Sequence, residues 1–169
     1  LSARSLQSRR QQVPGHQPVS ELRERFWERY PLDQLSAGEW EALCDGCGRC
    51  CLHKLEYEDT GELDFTRIAC RLLDLSTARC SDYPGRRKHV PDCVQLTPQN
   101  VGEIDWLPGT CAYRRLHEGR GLPRWHPLLT GHAESVVNAN ISVIGRVLPE
   151  TAVDEEDYQE HVIRWIRRS

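Results

Sequence analysis

The 169-residue sequence has no methionine, two phenylalanines and two lysines, Lys54 and Lys88. Without methionine, Leu1 is either a non-AUG start or a truncation point. With lysine so scarce, arginine carries almost all the positive charge. No run reaches the roughly 18 apolar residues that a membrane-spanning helix needs, so no membrane association is expected. The stretch 1–19 is polar and arginine-bearing, with no apolar segment of the secretory kind. The expectation is therefore a cytoplasmic protein, in a compartment where structural disulfides are rare. A net charge of −3 gives no general attraction to nucleic acid.

What the sequence does have is thiol. Eight cysteines are present, and four of them fall within Cys44-Asp45-Gly46-Cys47-Gly48-Arg49-Cys50-Cys51. The other four, Cys70, Cys80, Cys93 and Cys111, follow singly. A chain of this length can bury a core without covalent or metal staples, so size alone does not call for them. The C-x2-C unit lets two sulfurs reach one tetrahedral centre. Gly46 and Gly48 lack Cβ atoms, so the backbone can curl and aim N–H groups at sulfur. Cys50 extends the pattern to C-x2-C-x2-C, the three-corner grip of bacterial-type iron–sulfur sites. Arg49, Arg71 and Arg79 lie beside cysteines and could offset thiolate charge.

Cys51 is the exception in this spacing. Adjacent side chains tend to diverge, so Cys50 and Cys51 are not expected on one simple mononuclear site. Two four-cysteine sites, or one cluster plus inert thiols, both remain open from spacing. The rival readings are disulfides, since eight is even, and a cysteine nucleophile with a histidine base. His53 is close to Cys51 and Asp92 precedes Cys93, but no triad emerges. His126, between Trp125 and Pro127, and His53 are the histidines singled out for a functional role.

Along the chain, residues 1–19 read as a flexible tail and 20–169 as one domain. Ser20 caps a predicted helix over 21–29, with Leu22, Phe26 and Tyr30 on one stripe and Pro31 ending it. Ser36 and Glu39 spell a capping box, with Leu35 and Trp40 placed as a hydrophobic staple. That short helix should lead into Cys44. Residues 52–65 read as a β-hairpin turning at Asp59-Thr60-Gly61. The segment 66–75 is ambiguous between helix and buried strand. The long irregular stretch 76–92 is unusual unless something ties it down. Thr97-Pro98 predicts a short helix to about Ile104. Thr110 predicts another with Cys111 in its first turn. Residues 141–148 read as β-rich. The end of the chain, acidic at 154–157 and basic at 164–168, predicts a terminal helix with Tyr158, Val162, Trp165 and Ile166 inward.

The fold class expected is α+β: a small domain of short helices and a small antiparallel sheet or hairpins around a cysteine metal site.

The runs Cys44–Glu56, Phe65–Leu75, Cys80–Arg86, Pro91–Pro98 and Trp106–Gly131 together resemble the YcgN-type bacterial cysteine-cluster family. That family belongs to a wider CxxCxxCC group of zinc- or iron-chelating proteins. The resemblance covers about Leu32 to Leu148 and contains all eight cysteines. It implies a cytosolic bacterial protein with a thiolate-bound metal at Cys44, Cys47, Cys50 and Cys51. The full candidate ligand set is Cys44, Cys47, Cys50, Cys51, Cys70, Cys80, Cys93 and Cys111. The leading expectation is an iron–sulfur cluster of [4Fe–4S] type, serving redox or regulatory chemistry on an unknown protein partner. The alternatives are a structural zinc protein acting through protein–protein contacts, and a metal-dependent modifying enzyme with His126 near its site.

Overall fold

The computed structural model describes residues 22–168. The expected tail 1–19 and the Ser20 cap lie outside the described residues.

Two apolar clusters build the core. One gathers Leu52, Phe65, Ala69, Leu73, Ala78, Val143 and Ile166. The other gathers Phe26, Leu43, Val101, Leu107 and Tyr113. Trp106 packs against both. Leu43 and Leu52 are almost fully buried, one in each cluster. The eight residues between them, Cys44–Cys51, therefore form the span that joins the two cores.

Helix α1 covers Phe26–Arg29, shorter than the predicted helix over 21–29. Arg25 sits in the left-handed region at φ 48° and cannot continue a helix backward. Arg23 is instead drawn to Glu39, which accepts its backbone N–H and its guanidinium at 2.7–3.1 Å. Leu22, Phe26 and Tyr30 still share one cluster, as the stripe requires. Helix α2, Ala37–Ala42, carries the predicted capping box: Ser36 Oγ accepts from Glu39 N at 3.2 Å, and Glu39 accepts from Ser36 N at 2.9 Å. Leu35 and Trp40 both pack into the second cluster. The helix ends at Leu43 and hands the chain directly to Cys44.

Strands β1 (Leu52–Glu56) and β2 (Leu63–Ala69) form the expected antiparallel hairpin, with an irregularity between Leu52 and Lys54. The ambiguous segment resolves as strand through Ala69. It then turns at Cys70 into a small ribbon of β3 (Leu73–Asp74) and β4 (Arg79–Cys80). Helix α3 (Arg86–His89) interrupts the irregular loop. The predicted helix after Thr97 is only a 3-10 turn, Val101–Glu103, although Thr97 and Asn100 do cap each other reciprocally. Helix α4, Ala112–His117, starts one residue later than expected, with Cys111 as its N-cap. Helices α5 (Pro127–Thr130) and α6 (Ser135–Asn138) follow.

Two expectations fail toward the C-terminus. Residues 141–147 form turns rather than strand, because their amides are taken elsewhere: Val143 N donates to the distant Cys47 O at 3.0 Å, and Ile141 N to the nearby Val136 O at 3.1 Å. Only β5, Leu148–Pro149, joins the sheet, pairing parallel to β2. The three-stranded sheet β1-β2-β5 is therefore mixed. The terminal helix is absent too. Glu155–His161 winds as 3-10, and the chain then runs extended beside β2, with a bridge between Thr66 and Val162 and a bond from Ile163 N to Phe65 O at 2.9 Å. Because β5 pairs only with Ile68 and Ala69, the same side of β2 at Phe65 and Thr66 is left to offer these residues ladder partners that a solvated helix could not match. The whole is a small α+β fold, and no described helix is long and apolar enough to cross a membrane.

Candidate metal centre

The knot is shaped by its glycines. Gly46 and Gly48 hold φ of 73° and 77°, where a Cβ is disfavoured. A Cβ on Gly48 would also lie 2.7 Å from Val143. A Cβ on Gly46 would strike the Arg79 guanidinium at 2.6 Å, so Arg79 lies across the knot. Residues Arg49–Cys51 then close a 3-10 turn, with Cys51 N donating to Gly48 O at 3.1 Å.

Asp45 is buried inside this loop. It accepts from Cys47 N at 3.0 Å and from the Trp125 indole at 3.5 Å. His126 is fully buried and pins the residue just before the knot. Its Nε2 donates to Leu43 O at 2.9 Å and its Nδ1 accepts from Leu128 N at 3.1 Å. Both ring nitrogens are thus occupied by backbone, which removes His126 as a metal ligand or a general base. Burial lowers its pKa, consistent with a neutral ring. His53 pairs with Glu150 at 2.5 Å and lies beside the Tyr158 ring.

All eight cysteines are free thiols, so the disulfide reading finds no pair. The four distant cysteines fold back toward the knot and divide by neighbourhood. Cys111 packs with the Leu43 cluster, and Cys51 with the Leu52 cluster. Cys70 N donates to Cys51 O at 2.9 Å. The charges follow the same division. Burial raises the Cys44 and Cys47 thiols, with Cys50 and Asp45 adding to it, and lifts Cys44 to about 12 although the residue keeps a solvent-accessible edge. Burial lifts Cys111 to about 11, again with Cys50 and Asp45 contributing. On the other side, Cys51 is raised by its hydrogen bond with Cys50 and by burial, with Cys70 and Cys93 also acting on it. Cys70 is raised by burial, with Glu150, Cys93 and Cys80 acting on it.

Cys50 runs against the trend. The Cys51 thiol hydrogen-bonded to it, and then the Lys54 ammonium, hold it down at about 7 against the cost of burial. Lys54 donates to Cys50 O at 2.9 Å and Leu52 O at 2.7 Å, and sits 4.1 Å from the centre of the Trp106 ring. Burial lowers its pKa while Cys50, Cys51, Cys93 and Cys70 oppose that shift. The sequence reading missed Lys54 and Asp45 and named only the flanking arginines. The available signal was that one of just two lysines comes three residues after the knot.

Backbone amides reach the sulfurs at regular positions: Gly46 for Cys44, Arg49 for Cys47, Leu72 for Cys70, and Arg114 and Tyr113 for Cys111. Each favours the thiolate. Among the described residues, no three Cys, His, Asp or Glu side chains converge on a single point in this conformation. Free thiols that remain partly accessible, amides aimed at sulfur and a half-buried ammonium without a carboxylate partner nonetheless suit a thiophilic metal, which needs deprotonated sulfur.

Residues 43–112 match a family model, CxxCxxCC, described as "Putative zinc- or iron-chelating domain". That span holds every cysteine. A UPF0260 protein of Azotobacter vinelandii is 60% identical over 140 residues, covering 83% of this chain and 94% of its own. One from Ectopseudomonas mendocina is 59% identical over 140 residues, with the same coverage of each chain. One from Parvibaculum lavamentivorans is 54% identical over 147 residues, covering 87% and 96%. No solved structure matches. With such identity over nearly the whole of each relative, and with the cysteine knot inside the matched region, the chain belongs to the UPF0260 family of CxxCxxCC proteins.

Proposed function

We propose that this protein holds iron on cysteine thiolates as a cluster of [4Fe–4S] type, and that the centre serves redox or regulatory chemistry on a protein partner. The observation that carries the reading is that Cys111 lies beside Cys50, and Cys70 and Cys93 beside Cys51, although all three are remote from the C-x2-C-x2-C knot in sequence. Cys44, Cys47, Cys50 and Cys111 would hold one centre. Cys51, Cys70, Cys80 and Cys93 would hold a second. Cys50 and Cys51, hydrogen-bonded to each other, would be where the two sets touch.

When bound, an iron–sulfur cluster supplies one-electron transfer at a potential tuned by hydrogen bonds to sulfur and by nearby charge. The chain's own part is to supply that tuning. The amides of Gly46, Arg49 and Leu72 donate to sulfur, and Lys54 and Arg79 offset thiolate charge. A second reading, structural zinc, is favoured by one specific observation. The knot joins two cores through segments with little regular structure, and closed four-thiolate sites stabilise such joints.

Protein purified anaerobically decides between them. Iron, acid-labile sulfide and a visible charge-transfer band are expected. A colourless protein with stoichiometric zinc and no sulfide would sink the iron reading. Cys111→Ser and Cys93→Ser should each remove one centre and spare the other. Loss of all metal in both variants would refute the division into two sets.

A further inference from the structure

A cavity of about 320 Å³ opens beside the knot at Arg49, and no cysteine lines it. Three arginines line it, Arg49, Arg146 and Arg167, together with Trp165, Thr110 and Asn140. They come from the knot, the approach to α4, the turn after α6 and the extended C-terminal segment, so only the tertiary fold assembles them.

Two of the guanidiniums are held in place. Arg146 stacks on Trp165, 3.7 Å from the ring centre, and its Nη1 donates to Asn140 O at 3.0 Å and Oδ1 at 3.3 Å. Arg49 is buried at 4% exposure, lies 5.5 Å from the same ring and donates from Nε to Ile141 O at 2.8 Å. Its Nη1 lies 3.5 Å from Thr110 Oγ1, the limit of a hydrogen bond, and Nη2 has no protein acceptor among the described residues.

Buried charges in proteins are ordinarily paired. No carboxylate among the described residues forms an ion pair with Arg49, Arg146 or Arg167. Arg167 also lines the neighbouring cavity, which carries Glu62 and Asp64 and where Arg164 is paired with Asp64 at 2.7 Å; Arg49 and Arg146 line only the first. Burial disfavours the Arg49 charge, and Arg146 adds to that, against Cys47 and Asp45 on the knot side. Three cations around one cavity repel one another unless an anion enters. The forked donors of guanidinium match the oxygens of phosphate and carboxylate.

We propose that this cavity binds a small molecule through an oxyanion group, phosphate or carboxylate, held by Arg49, Arg146 and Arg167. The Thr110 hydroxyl and the Asn140 amide supply further donors. Arg49 lies between Gly48 and Cys50, so the anion would sit next to the first thiol set. The proposal goes beyond metal binding and does not depend on which metal is held.

The test is calorimetric titration of the protein as purified anaerobically, with inorganic phosphate in one arm and citrate in the other, at constant ionic strength in chloride. One-to-one saturable binding is expected in at least one arm. Phosphate alone assigns a phosphate ligand, and citrate alone assigns a carboxylate. Arg146→Gln and Arg167→Gln, both remote from the thiols in sequence, should each weaken binding about tenfold or more. Metal content should not change in either variant. No saturation in either arm, or unchanged affinity in both variants, overturns the proposal. Saturable binding in protein found to hold no metal supports this proposal, and the missing metal alone then counts against the metal reading.

Discussion

Replacing His126 with leucine separates a structural latch from a functional histidine. Leucine nearly preserves volume but removes both hydrogen bonds of the ring. Leu43 O and Leu128 N then lose their partner, and Leu43 is fully buried. Each buried polar group left unsatisfied costs about 1–3 kcal/mol. Leu128 is only half-buried, so its share falls at the low end and the total is about 2–4 kcal/mol. For a chain of this size that lowers Tm by about 4–16 °C. Urea unfolding of metal-loaded protein, followed by tryptophan fluorescence, would measure the difference. The effect should also depend on pH. Burial holds the His126 pKa below its ordinary 6.5, so the unfolded chain takes up the proton first. The histidine's stabilisation is then complete above about pH 6.5 and is lost as pH falls through the lower folded value. The gap between wild type and His126→Leu should therefore narrow between about pH 7.5 and pH 5.5. A variant within about 0.5 kcal/mol of wild type would refute the latch. So would one that loses metal at unchanged stability, because His126 would then be a ligand.

Two other outcomes follow from the geometry. Hydrogen bonds from Arg23 hold the Glu39 carboxyl down at about 2, against burial. Its contribution is present above the ordinary carboxylate value of 4.5 and lost as pH falls through about 2. Glu39→Gln should cost about 2 kcal/mol at neutral pH, discounted because Arg23 is partly exposed, and should flatten the acid limb of a stability–pH curve. In chelated protein, Lys54→Met removes a cation that favours the Cys50 thiolate, so alkylation of Cys50 near neutral pH should slow about three- to tenfold. An alkylation profile with an unmoved midpoint would exclude Lys54 as the counter-charge.

Much of the local structure was legible in the residues. The capping box of Ser36 and Glu39, the hairpin around Gly61 and the tight knot at Gly46 and Gly48 all depend on contacts within a few positions. Where the reading failed, a distant partner outbid local preference. The acidic-to-basic polarity at 154–168 suits a helix, yet the side of β2 left free by β5 at Phe65 and Thr66 captured Val162 and Ile163 as extended chain. Arg23 was drawn out of a first helical turn by the buried Glu39 carboxylate. His126 looked like a site residue, and its role as a backbone clamp depends on Leu43, 83 positions away.

By itself the sequence determined that this protein concentrates thiols: Cys44, Cys47, Cys50 and Cys51 fall within eight residues wherever the rest of the chain goes. It also determined the family, through motif order. Which later cysteine lies beside which part of the knot was decided only by the tertiary structure. The knot spans two cores, with Cys111 packed against one, Cys51 against the other, and Cys70 N bonded to Cys51 O. The same holds for Lys54 among the thiols and for the three arginines around Trp165. Their meaning lies in charges brought together through space, which linear order does not encode.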